Sequence, residues 1–209
     1  MIAAIIGPFA EAVRATVQPC TFLMIVPTAT AVIAASARWQ ALVAAVAAAI
    51  VGGWILADNE FLLDGAALRW SAVVVALALV ALLLPLLRER VPIPTQLMGR
   101  PWTQAAIVAF VVLVATQWWR PCVGRELGNV LSDAQFDLVG QLLPMAFYML
   151  GVMVPIAALV ALRYLVEPAE RWQAALSGVA GTVGVVIALF LVAGRHESVT
   201  VTLTRWTLG

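Results

Sequence analysis

The chain has 209 residues, 64% of them hydrophobic and 11% charged, with a formal net charge of +1 and a mean hydropathy of +1.02. Soluble domains carry about 25% charged residues, so this composition excludes an ordinary water-soluble globule and points to a protein dissolved in lipid. The 12 basic residues are all arginines, scattered rather than gathered into a stripe, which argues against nucleic acid as a partner.

The N-terminal segment is apolar and its first charged side chain is Glu11. A cleaved leader begins with a positive region, so this segment is expected to remain as part of the first helix. Glu11 and Arg14 are three residues apart, and a helix would bring them together as an ion pair. Such a pair would soften the cost of charge near lipid, about 2.5 to 3.5 kcal/mol per ion on insertion scales.

Six apolar stretches then follow: Thr21 to Ala35, Ala41 to Ala57, Ser71 to Leu87, Ala105 to Trp119, Leu138 to Leu162 and Ala174 to Ala193. A membrane helix takes about 20 residues, and several of these stretches suffice as they stand. The first and fourth are short, but each extends past a proline-cysteine pair into a further flank, Ala3 to Val17 before Cys20 and Gly124 to Ala134 after Cys122. Glycines 178, 181 and 184 in the last stretch permit close helix contact. In the tail, Val199, Val201 and Leu203 alternate with threonines, the pattern of a short extended segment.

The cysteines carry the chemistry. Cys20 and Cys122 are the only two, and each follows a proline, Pro19 and Pro121. Proline is about 5% of residues, so chance would place one before both cysteines roughly 0.3% of the time. A proline inside a helix removes a backbone donor and clashes with the preceding turn, so both helices are expected to be interrupted there, giving each thiol room to react. Irregular backbone at membrane depth is tolerated where it is buried or lines a cavity, and paired interruptions in two halves mark the working site of transporter-like folds. The two cysteines are 102 residues apart, about half the chain. The expected fold is therefore all-α and polytopic, with six transmembrane helices in one domain over 1–209, built from inverted three-helix repeats at 1–100 and 101–209. Arginine counts in the loops set the orientation. Arg38, Arg88, Arg90, Arg100, Arg163 and Arg171 fall on one side, the inner one. Both termini are then outside, in a cell inner membrane.

Gln18-Pro19-Cys20-Thr21-Phe22-Leu23 resembles the first-helix motif of the CcdA/DsbD family of transmembrane thiol-disulfide reductants. Trp119-Arg120-Pro121-Cys122-Val123-Gly124 resembles its fourth-helix motif, and Tyr148-Met149-Leu150-Gly151-Val152-Met153-Val154-Pro155 its fifth-helix Tyr-x-Leu-Gly followed by Pro. Where the family has Gly-Pro after the second cysteine, this chain has Gly124-Arg125, and of the early prolines after the first cysteine only Pro27 remains. The resemblance implies that Cys20 and Cys122 alternate between dithiol and disulfide. They would take electrons from cytoplasmic thioredoxin and pass them to extracytoplasmic thioredoxin-like proteins, as in cytochrome c maturation. Pro19, Pro27, Pro121, Gly124, Gly151 and Pro155 would support the helix breaks.

Thiol-disulfide exchange needs one attacking and one resolving thiol and no cofactor or metal. Arg120 and Arg125 flank Cys122 and would favour its thiolate, or else extend to the interface. The chain has no Cys-x-x-Cys, so donor and acceptor are expected to be separate proteins. The rival reading is a soft-metal or small-solute transporter on the same scaffold, because Met145, Met149 and Met153 recur every four residues and Met24 lies one turn after Cys20. Methionine at helical spacing is more often flexible packing. A non-redox subunit of a larger complex is the third reading.

Overall fold

In the computed structural model the described backbone comprises residues 2–18, 21–35, 38–58, 65–83, 100–132, 138–165, 178–179, 181–186, 189–190 and 192–194. It forms six helices, α1 (Ile2–Ala15), α2 (Phe22–Ala34), α3 (Arg38–Asp58), α4 (Gly65–Leu83), α5 (Pro101–Ser132) and α6 (Leu138–Leu165), with further helical residues at 181–186. The protein is all-helical among the described residues. The extended segment expected around Val199 lies outside them.

Three helices are long and apolar enough to cross a bilayer, over Trp39–Leu56, Pro101–Trp119 and Leu143–Ala161. Two more, Phe22–Ala34 and Ala66–Leu82, are apolar but shorter. The outward faces are hydrophobic too: Val43 and Val51 on α3, Leu77 and Val80 on α4, and Val154 and Leu159 on α6 are all exposed. A surface of that kind is stable against lipid and not against water. Trp39 and Trp102, at the starts of α3 and α5, are 72% and 76% exposed, and Trp70, near the start of α4, is 69% exposed, as expected of indoles seated at a membrane interface.

Helix α5 is the centre of the bundle. Every residue from Val114 to Trp119 is buried, so that stretch is covered on all sides. Around it pack α2, α3 and α4, while α6 packs on α1 and α3. Helix α3 fits between α5 and α6 through a stripe of small residues, Ala41, Ala45, Ala48, Ala49, Gly52 and Gly53, all buried. A methyl group on Gly52 would lie 2.9 Å from Thr116 Cγ2 on α5, and one on Gly53 would lie 2.6 Å from Met149 Cγ on α6. Adjacent glycines thus admit a different helix on each side. Without a hydrophobic force between helices in lipid, such close backbone approach is what holds the bundle together.

The start of α4 lies beside the end of the last apolar stretch, where Gly194 has a φ of +67° and a Cβ there would lie 3.6 Å from Arg69 Nη2. Ten residues further along α4, Leu79 Cδ1 would lie 3.0 Å from a Cβ on Gly184, ten residues before Gly194. Equal steps in opposite directions make these two segments antiparallel neighbours.

Two expectations need correction. Helix α5 runs unbroken through Pro121 and Cys122 to Ser132, so the fourth apolar helix is not interrupted there. Proline forfeits one intrahelical bond, here the one that would close on the Gln117 carbonyl, and a long helix packed on several sides tolerates that loss. The expected Glu11–Arg14 ion pair is not found among the described residues either, where both residues are exposed.

Candidate functional site

A break between two helices lies just ahead of the first proline-cysteine pair, at residues 16–18. Helix α1 ends at Ala15 and α2 starts at Phe22, and the residues bracketing the pair are tied together. The Thr21 amide donates to the Gln18 carbonyl at 3.0 Å, and the Gln18 amide donates to the Ala15 carbonyl at 3.0 Å. The Thr21 hydroxyl, fully buried, donates to the same Ala15 carbonyl at 2.6 Å. The carbonyls left open at the end of α1 are thereby satisfied, as a helix end away from water requires. Pro19 and Cys20 themselves lie outside the described residues. Pro27 is buried within α2 and removes the amide that would have bonded to the Leu23 carbonyl.

The second pair sits on α5, just beyond a layer of buried aromatic residues. Trp118 and Trp119 are each 1% exposed and face different neighbours. Trp118 Nε1 donates to Ser71 Oγ on α4 at 3.2 Å, and that hydroxyl donates in turn to the Leu68 carbonyl at 2.6 Å. Trp119 stacks on Tyr148 of α6, with ring centroids 6.1 Å apart and planes inclined by 16°. Pro121, Cys122 and Gly124 lie on the helical backbone of α5; their side-chain surroundings, like those of Arg120 and Arg125, lie outside the described residues.

The fifth-helix motif joins these two regions. Tyr148 meets Trp119, which precedes Cys122 by three residues. One turn along α6, Gly151 meets α1: a Cβ there would lie 2.7 Å from Ala12 Cβ and 2.7 Å from the Phe9 carbonyl oxygen. Ala12 is in the last turn of α1, eight residues before Cys20 in the sequence. Pro155, half-buried, lies one turn beyond Gly151 and deprives the Gly151 carbonyl of its helical donor. Tyr148 and Gly151 are about 4.5 Å apart along the helix, so α6 links the approaches to both cysteines within a single turn.

The methionines belong to the same neighbourhood. Met145, Met149 and Met153 are 1–2% exposed, and Met24 is fully buried. A Cβ on Gly53 would lie 2.9 Å from Met149 Sδ and 3.2 Å from Met145 Sδ, so these thioethers fill the notch left by a glycine. That is the packing reading of the stripe. No group of three or more His, Cys, Asp or Glu suited to a metal occurs among the described residues.

Gly52, Gly53 and the Trp118–Ser71 bond are contributors that the sequence did not single out. The adjacent Gly52-Gly53 pair inside an apolar run was the available signal for a close crossing. No family model, curated protein or solved structure matches the chain. The apolar helices and their apolar outward faces fit a helical membrane protein.

Proposed function

We propose that the protein is a six-span transmembrane thiol-disulfide electron carrier of the CcdA/DsbD type, in which Cys20 and Cys122 are the redox pair. The observation that carries this reading is the bridge made by α6: Tyr148 against the helix leading to Cys122, and Gly151 against the helix leading to Cys20. Two contacts of one α6 segment, on α5 three residues before Cys122 and on α1 eight residues before Cys20, support this reading. The packing also favours an inverted repeat. Helix α6 rests on α1 as α3 rests on α5, which is the pairing that a two-fold relation between the halves requires.

The chemistry balances with sulfur alone. A thiolate of reduced cytoplasmic thioredoxin attacks the Cys20–Cys122 disulfide, forming a mixed disulfide and releasing one cysteine as thiolate. The second thioredoxin thiol then resolves the mixed disulfide. Thioredoxin leaves oxidised and the membrane pair is left as a dithiol, having gained two electrons and two protons. On the outer side the dithiol reduces the disulfide of a thioredoxin-like acceptor by the reverse sequence. The carrier resides in the inner membrane with both termini outside.

The direct test is the mass shift on alkylation of oxidised and reduced protein. Two thiols reactive after reduction and none after mild oxidation, in monomeric protein, is the expected result. Two thiols that stay free under oxidant would refute the relay, since a disulfide needs Cα atoms within about 4.4 to 6.8 Å.

A soft-metal path through the methionines is separable from this. Changing Met145, Met149 and Met153 to Leu is close to volume-conserving and is expected to cost under about 1.5 kcal/mol each while leaving thiol transfer intact. Cu(I) uptake into vesicles that disappears in this variant, with no thiol transfer in the parent, would favour the transporter.

A further inference from the structure

Four exposed tryptophans, Trp39, Trp54, Trp70 and Trp102, fall into two planes. On α3 the residues Trp39, Val43, Ala47, Val51 and Trp54 are all exposed, and their spacing keeps them on one face, a lipid-facing stripe with an indole at each end. Contacts fix which indoles share a level. Gly52 packs on Thr116, and Trp118, two residues further along α5, donates its indole N–H to Ser71 on α4. Trp54 is two residues past Gly52 and Trp70 directly precedes Ser71, so both indoles stand within a turn of one level. The apolar spans Trp39–Leu56 and Pro101–Trp119 both lead away from that level, and both must run into lipid. Trp39 and Trp102 therefore stand together at the far side.

Arginines accompany both planes. Arg69 is exposed beside Trp70, Arg100 is exposed two residues before Trp102, and Arg38 directly precedes Trp39 in the sequence. An indole with a guanidinium next to it fits the boundary where headgroup phosphates meet hydrocarbon, since the ring is amphipathic and the cation reaches outward. The separation of the planes is short. Trp39 to Trp54 is 15 residues, about 22 Å of helix, and Trp102 to Trp118 is 16 residues, about 24 Å. Tilt can only reduce those heights, whereas a typical hydrocarbon core is about 30 Å thick. We propose that the two planes are the headgroup boundaries, and that the outer surface of the bundle fits a bilayer whose hydrocarbon core is about 22 to 24 Å thick. A thicker bilayer must thin around the protein or draw an indole inward, and either costs free energy. Ala47, near the middle of the α3 stripe, marks the midplane. The inference uses the apolar helices and their indoles and is independent of the thiol chemistry.

The experiment has two arms. In the first, full-length protein with both native cysteines replaced by Ser carries a spin label at one exposed α3 position at a time, through Gln40→Cys, Val43→Cys, Ala47→Cys or Val51→Cys. Depth is read in vesicles from the ratio of collisions with oxygen and with a water-soluble nickel chelate. The depth is expected to be greatest at Ala47, equal at Val43 and Val51, and near zero at Gln40. A maximum at Val43 or Val51 overturns the placement of the planes. Spin–spin broadening with little oxygen access would give the stripe to a second copy of the chain, and overturns it too. The second arm needs no substitution, and so decides the thickness even if a label disturbs folding. Unmodified protein is reconstituted in phosphatidylcholine with monounsaturated chains of 14, 18 or 22 carbons. Its thermal unfolding midpoint is expected to be highest in the 14-carbon lipid and lowest in the 22-carbon lipid. A midpoint that is highest in either longer lipid, or equal in all three, overturns the proposal. Neither arm reads a disulfide, so failure here leaves the thiol relay untouched, and failure of the relay leaves these planes in place.

Discussion

Replacing both Cys20 and Cys122 by Ser is expected to lower thiol transfer across a vesicle membrane to the level of protein-free vesicles. The reason is that each cysteine is half of a two-electron carrier, and no other residue of the chain has a sulfur that can form a disulfide. A hydroxyl cannot replace a thiolate in exchange, since the bond formed and broken at every step is sulfur to sulfur. The single variants should differ from the double one in kind. With only the attacking cysteine left, its thiolate can open the disulfide of the external thioredoxin-like substrate but no second thiol resolves the product, and a mixed disulfide with that substrate accumulates that reductant dissolves. With only the resolving cysteine left, no complex forms. The assay loads vesicles with reduced thioredoxin and measures reduction of an external thioredoxin-like substrate. Transfer by the double variant equal to that of the parent would assign the protein to transport or to a structural role.

The sequence was most legible where a physical constraint is local. Membrane helices announce themselves by length and hydropathy, and α3, α5 and α6 fall where the apolar stretches lie. The break before α2 was legible because Pro19 stands where the apolar run of the first helix has already ended and polar Gln18 and Thr21 are at hand to close a turn. The same dipeptide at Pro121 misled. It stands deep in a long helix whose preceding turns are buried on all sides, and tertiary packing there outweighs the single bond that proline removes. The contacts that assemble the site were invisible for a different reason. The stacking of Trp119 on Tyr148 and the seating of Ala12 on Gly151 join residues far apart in the chain, and hydropathy reports which residues are apolar without saying which of them meet.

Those long-range contacts make Gly151 the position where a single methyl group should have the largest structural effect. In Gly151→Ala the new Cβ would meet the Phe9 carbonyl oxygen and Ala12 Cβ, each at 2.7 Å. The first of these is backbone, which cannot rotate away, so α1 as a whole must move off α6. Overpacking of this kind costs about 1 to 3 kcal/mol, against a gain of about 0.5 to 1 kcal/mol from replacing glycine inside a helix. The displacement should propagate, because the Ala15 carbonyl at the end of α1 receives the Thr21 hydroxyl and so ties α1 to the start of α2. Gly151→Ala is therefore expected to lower the thermal unfolding midpoint in detergent and to slow oxidation of Cys20 with Cys122, while single-thiol alkylation remains complete. Gly7→Ala and Gly178→Ala are the matched controls, since a Cβ at either meets nothing within 4 Å. Both should be neutral or slightly stabilising. Equal stability and equal rates of disulfide formation in Gly151→Ala and the controls would show that α1 does not depend on this crossing, and would remove the bridge on which the functional reading rests.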